Sequence, residues 1–195
     1  PHKTPRRQRQ MCIRDSNQFG SRFQDSSVLD EFNFTPISST SNFYDFLVKE
    51  MLPYISSKYR VSSFLIAVGH ERTANFINFL VLKDKPLVRG AICVSPKFSE
   101  NMKGYIVDYF KKSKNRISYA ISSSQKDFES IYQDVFSVSK SLDSIDNKYL
   151  NFKSIVLKDE NHYVVPSVTI PKSIKNIYSK YADIDKVEYL SLIHI

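Results

Sequence analysis

Apolar residues fall along this chain in two alternating patterns. Short apolar runs occur unbroken at Phe64–Val68 and Ala91–Val94, and interrupted by Ser118 and by Lys153-Ser154 at Ile117–Ile121 and Phe152–Leu157. Runs of this length without polar alternation predict strands buried on both faces. Between them, apolar positions recur every three or four residues, as in an amphipathic helix. Phe43, Phe46, Leu47, Met51 and Ile55 form one such stripe, with Thr40 or Ser41 as its cap and Pro53 as a kink or turn. Ala74, Ile77, Asn78 and Val81 form a second, ending near Leu82 before Lys83-Asp84-Lys85-Pro86. Met102, Tyr105, Ile106, Tyr109 and Phe110 form a third, closing on Lys111 and Lys112. Phe128, Ile131, Tyr132, Val135 and Phe136 make the fourth, and Val168, Ile170, Ile174 and Ile177, after Pro166, the last.

Strand followed by helix, four times over, predicts an α/β fold: a mostly parallel sheet with helices on both faces. Ligands of such sheets lie beyond the carboxyl ends of the strands. The polar segments that follow the apolar runs are therefore the places to look for chemistry. They are His70 and Glu71, Ser95, the serine-rich segment from Ser122 to Asp127, read as a loop, and Asp159-Glu160-Asn161-His162, also read as a loop.

The first of these is the most distinctive. Gly69 follows the Phe64–Val68 run and a helical pattern starts at once from Arg72, so strand, sharp turn and helix meet at Gly69-His70-Glu71-Arg72-Thr73. That is the local architecture that presents a nucleophile in α/β-hydrolases, where the turn reads G-x-S-x-G. Here Glu71 stands where the Ser would be and Thr73 where the second Gly would be.

Composition changes this picture little. The 195 residues are 42% hydrophobic and 13% aromatic without any Trp, enough for one globular domain with a real core. No apolar run approaches the roughly 20 residues of a membrane span. The net charge of +8 points at first to an anionic partner, but residues 1–16 carry half of it: Lys3, Arg6, Arg7, Arg9 and Arg14 against Asp15. That segment, PHKTPRRQRQMCIRDS, has neither periodicity nor a signal peptide's apolar core. Together with the terminal SLIHI it looks like translated sequencing-adapter read-through, so residues 1–16 and 191–195 are expected to be non-native and residues 17–190 a truncated domain. A nucleic-acid-binding arm is the lesser expectation, because no aromatic residue interleaves the arginines. Two cysteines, Cys12 and Cys93, give neither a disulfide framework nor metal spacing, and four glycines give no phosphate loop. No cofactor or metal is expected. Compartment, cytoplasmic or periplasmic, and oligomeric state stay open.

The order of the pieces resembles the esterase D-like "putative esterase" family of α/β-hydrolases. Phe43–Tyr59 is similar to that family's F-x-x-F-L-x-x-E-L-I-P-Y-I-x-x-x-Y, and Gly69-His70 begins its G-H-S-x-G-G elbow. Ser95-Pro96 ends the next strand, and His162 precedes Val164-Val165-Pro166. The likeness spans residues 33–181 and implies a Ser–His–acid hydrolase of small-molecule esters. It puts Glu71 at the nucleophile position, the Arg72 backbone N–H at the oxyanion hole and His162 at the base. Asp127 becomes the nearest candidate acid and Glu129 the next. Thr73 and Ala74 stand where the family has glycines, and the strands that complete the oxyanion hole would precede residue 33. Two classes of function follow. One is a hydrolase in which Glu71 serves unconventionally, as an Asp at this elbow attacks sp³ carbon in related enzymes. The other, which the lost Ser favours, is a degenerate, non-catalytic module that binds a small ligand or a protein partner.

Overall fold

The structure, a computed structural model, describes residues 29–30 and 36–179. Both ends expected to be non-native lie outside them; Leu29 and Pro36 form an isolated antiparallel bridge. The chain divides into two compact units, residues 1–61 and 62–195.

The first unit carries one helical rod in three parts, α1 (Ser38–Phe46), a π-helical turn (Leu47–Met51) and α2 (Leu52–Lys58). The rod starts earlier than a Thr40 or Ser41 cap predicts. Ile37, extended at φ −122° and ψ 164°, is the N-cap, and no side chain caps the helix. The turn is where Pro53 acts. Proline has no N–H for the carbonyl four residues back, and its ring crowds that oxygen. The helix widens just ahead of it, the Leu52 N–H reaching back five residues to the Leu47 carbonyl. Phe46, placed on the apolar stripe by its spacing, is 44% exposed.

The second unit contains a four-stranded, wholly parallel sheet in the order β1 (Ile66–His70), β2 (Gly90–Val94), β3 (Ile117–Lys126), β4 (Leu150–Asn161). The connecting helices are α3 (Arg72–Val81), α4 (Glu100–Lys112) and α5 (Glu129–Asp143), and α6 (Val165–Ile177) follows β4. Strands added always to the same side, with right-handed crossovers, put every connecting helix on one face. On that face Asn78 of α3 lies beside Cys93 and Tyr119, Phe110 of α4 meets the Tyr119 ring, and Ser139 of α5 bonds Ser154 of β4. The opposite face belongs to α6: Ile92, Val94 and Ala120 pack with Val165, flanked by Ile66, Leu157, Ile170 and Ile177. Helices thus cover both faces, as the alternation of patterns predicts.

Three boundaries differ from the sequence reading. The first strand runs from Ile66 through Gly69 to His70 rather than from Phe64 to Val68, and it is not buried on both faces. Val68 is 44% exposed, because β1 has a ladder partner, β2, on only one side among the described residues. Next, Ser122, Ser123 and Ser124 are no loop. They continue β3 and are buried, since β3 is flanked on both sides and each hydroxyl finds a partner. Last, β4 runs on to Asn161 because its outer edge is solvated and tolerates Lys158, Asp159 and Glu160, leaving His162 as the first residue past the strand.

Gly69 explains why strand and helix can meet at the elbow. A Cβ there would lie 2.7 Å from the Thr73 carbonyl oxygen and 2.8 Å from the Ala74 Cα, both backbone atoms that cannot yield. Gly104, within α4, has nothing within 4 Å of such a Cβ. Gly69→Ala should therefore destabilise the fold by about 3 kcal/mol through overpacking. Gly104→Ala should stabilise it by about 1 kcal/mol through helix propensity. Urea unfolding followed by circular dichroism reads both, and equal midpoints for the two variants would contradict this account of the elbow.

Candidate functional site

All four strands run the same way, so their carboxyl ends lie along one edge of the sheet. The residues just past or ending them are, in order, Glu71, Ser95, Asp127 and His162.

Glu71 occupies the turn between β1 and α3 with φ 56° and ψ −116°. A non-glycine residue there is strained, by an amount of order 1–3 kcal/mol, and persists only when its surroundings over-determine it. They do so here. The Glu71 N–H extends the ladder to the Val94 carbonyl (2.9 Å), and the Glu71 carbonyl accepts from Ala74 and Lys97 (3.3 Å each). Thr73, where the related motif has a glycine, ties the turn from inside: its hydroxyl accepts from the His70 N–H at 2.9 Å and donates to the His70 carbonyl at 2.7 Å. The Glu71 carboxylate is 41% exposed and forms a loose ion pair with the Arg72 guanidinium, 3.9 Å away. Arg72 is the first residue of α3.

Asp127, between β3 and α5, has a fully buried side chain. One oxygen, Oδ1, accepts from the Phe128 backbone N–H at 2.8 Å and lies 2.7 Å from Nδ1 of His162. The other, Oδ2, accepts from the Ser95 hydroxyl at 2.6 Å and the Ser123 hydroxyl at 2.9 Å. Burial alone would raise the pKa of this carboxyl. The bonds from Ser95, His162, the Phe128 N–H and Ser123 outweigh burial and hold it below its ordinary value. An ionised carboxylate can only accept, so Nδ1 of His162 must donate. The neutral imidazole then carries its free lone pair on Nε2. That is the protonation pattern a general base requires. Glu129, the second candidate acid, is in the first turn of α5 and bonds Gln133 at 2.7 Å.

His162 is buried among rings: His70 with centroids 4.5 Å apart, Phe128 at 4.8 Å and Tyr163 at 5.2 Å. His70 thus joins the site as the packing partner of His162. Its pKa lies below the ordinary 6.5, first because burial disfavours the cation and then because His162 is adjacent; Glu71 and Asp127 offset this in part. Among the described residues, Nε2 of His70 is buried without a hydrogen-bond partner. No group of three or more His, Cys, Asp or Glu among the described residues could hold a metal ion. No described helix is long and apolar enough to cross a membrane.

The structure therefore brings Asp127 and His162 into direct contact and puts Glu71 on the elbow after β1, separated from β3 by β2. The sequence assigns no role to two of the carboxylate's partners, Ser95 and Ser123. Their signal is faint, a serine ending one apolar run and another continuing the next.

No family model matches the sequence, and no curated protein does. Solved structures do. An IroE-like serine hydrolase from Shewanella oneidensis is 17% identical with a TM-score of 0.71 and is matched over 86% of this chain and 59% of that one. The BES protein from Bacillus cereus is 17% identical with a TM-score of 0.67, over 83% and 66%. An uncharacterised protein from Capnocytophaga ochracea is 17% identical with a TM-score of 0.74, over 87% and 48%. The chain thus spans between about half and two thirds of the length of these structures. At such identities the likeness shows the fold alone, a partial α/β-hydrolase fold.

Because His70 is held below its ordinary pKa, its neutral form is favoured by folding. The stability this contributes is full above 6.5 and is lost as pH falls from there through the folded-state value. Wild-type protein should therefore lose stability as pH falls below neutrality through the acid range. His70→Gln should show a shallower loss when urea midpoints are measured across that range, and parallel curves would refute the assignment.

Proposed function

We propose that this chain, on its α/β-hydrolase fold, is an esterase-like domain altered at the elbow: it keeps an acid–base pair and has lost the hydroxyl that the pair would activate. It then binds a small ester or related ligand without cleaving it by the acyl-enzyme route. The observation that carries this reading is the buried Asp127–His162 bond of 2.7 Å at the same sheet edge as a strained turn whose apex is Glu71.

Acyl transfer in this fold needs a hydroxyl from which an imidazole can take the proton. Glu71 has none to give at neutral pH. If its carboxylate added to an ester carbonyl, the tetrahedral adduct would expel the carboxylate again in preference to the far more basic alkoxide. A fixed negative charge at the elbow also opposes the oxyanion that must develop beside it. In this reading His162 and Asp127 serve to bind, His162 accepting a hydrogen bond through Nε2 from the ligand. The neighbours' descriptions as a serine hydrolase, a siderophore hydrolase from Aspergillus nidulans and relatives of that kind support a small-molecule ligand.

Restoring the hydroxyl tests the proposal. Glu71→Ser should confer hydrolysis of p-nitrophenyl acetate on a chain that lacks it. Adding His162→Ala should then lower that rate by about 10³-fold, the usual contribution of a positioned base. Wild-type turnover abolished by Glu71→Gln would overturn the inactive reading. A Glu71→Ser protein that stays folded and silent would overturn the claim that the site lacks only its hydroxyl.

A further inference from the structure

Four acceptor positions of the Asp127 carboxylate are filled, and two of the donors are side chains that the acyl-transfer scheme does not use. Ser95 and Ser123 both reach Oδ2, at 2.6 and 2.9 Å, and both are fully buried. Ser95 does so from an unusual place. It follows β2 with φ 44°, a left-handed conformation for a residue with a Cβ, and its own N–H is anchored to the Ser122 carbonyl at 2.7 Å. Glycine is the residue that takes this conformation without strain. Serine accepts it and spends its hydroxyl on the carboxylate.

We infer that Ser95 and Ser123 are positioning residues: together they hold Oδ2 of Asp127, so that Oδ1 alone faces His162 and keeps the proton on Nδ1. With only the Phe128 N–H and His162 as donors, the carboxylate could rotate about its Cβ–Cγ bond and offer His162 either oxygen. Two hydroxyls on the far oxygen remove that freedom, and they do so without carrying charge that would compete with His162. The titratable groups facing the carboxylate are His162 directly and His70 behind it; Lys126 is turned to Asp159 at 3.3 Å. Ser124 is an internal control. It is equally buried in the same strand, yet its hydroxyl accepts from the Lys126 N–H and does not touch Asp127.

This inference rests on reading Asp127 and His162 as the acid and base of the site, but its test needs no turnover. In the full chain, proton NMR should show a far-downfield Nδ1–H resonance of His162, absent from His162→Asn. It should persist on acidification until Asp127 protonates, below about pH 4. Ser95→Gly removes the hydroxyl while suiting the backbone, so strain cannot account for its effect. It should move the midpoint of loss upward by about one pH unit, a tenfold change in proton affinity. Ser123→Ala, at an ordinary strand position, should do the same, the double variant should move it further, and Ser124→Ala should leave it in place. Unchanged midpoints in folded Ser95→Gly and Ser123→Ala would overturn the inference, and either variant alone suffices if the other does not fold. A wild-type protein without the resonance would overturn the acid–base reading as well. Shifted midpoints together with a silent Glu71→Ser protein would leave the positioning role standing and remove only the claim that the site lacks nothing but its hydroxyl.

Discussion

A carboxylate withdrawn from water must have its lone pairs answered by donors, or it will protonate or drag the fold open. Asp127 is answered from four segments: the ends of β2 and β3, the start of α5 and the residue after β4. This single charge thus fixes where three strand ends stand relative to one another. The parallel sheet brings those ends to one edge, and the bonds to Asp127 make the edge a rigid constellation. The imidazole gains its tautomer from that arrangement, and the aromatic rings around it limit how it can turn.

The elbow is held by different means. Gly69 allows α3 to approach the strand, Thr73 stitches the turn internally, and the ladder bond to Val94 fixes Glu71 from outside. None of these devices depends on the side chain at the apex. That independence explains how the turn keeps its strained geometry with a carboxylate in place of a hydroxyl. It also separates shape from chemistry: the strand–turn–helix geometry follows from Gly69 and Thr73, whereas reactivity would follow from residue 71 alone.

Much of the fold was legible because its signals are local. Short, mostly apolar runs marked the four strands and three-to-four spacing marked the helices, so the alternation that dictates a parallel sheet could be counted directly. Strand lengths were not legible. Lys158 to Asn161 and Ser122 to Ser124 carry loop chemistry, and only their ladder partners make them strand. The site divides the same way. Glu71 stands at a turn just past an apolar run, and the family resemblance pointed to Asp127 and His162. A buried serine that bonds a carboxylate 32 residues away, as Ser95 does, is indistinguishable in sequence from a serine in a turn. The helix start at Ser38 was not legible because backbone geometry at Ile37, not a side-chain cap, sets it, whereas Pro53 marked the disturbed turn ahead of it.

On the helix-covered face behind the site, Cys93 donates to Asn78, whose amide oxygen also takes the Tyr119 hydroxyl, and burial pushes the thiol up to about 12. At neutral pH, on the order of one such thiol in 10⁵ is ionised, and only the thiolate reacts with oxidants, disulfides and alkylating reagents. The core of the second unit is therefore indifferent to redox conditions at this position. Iodoacetamide or a change of glutathione potential should pass it by, so covalent labelling there would report unfolding rather than chemistry.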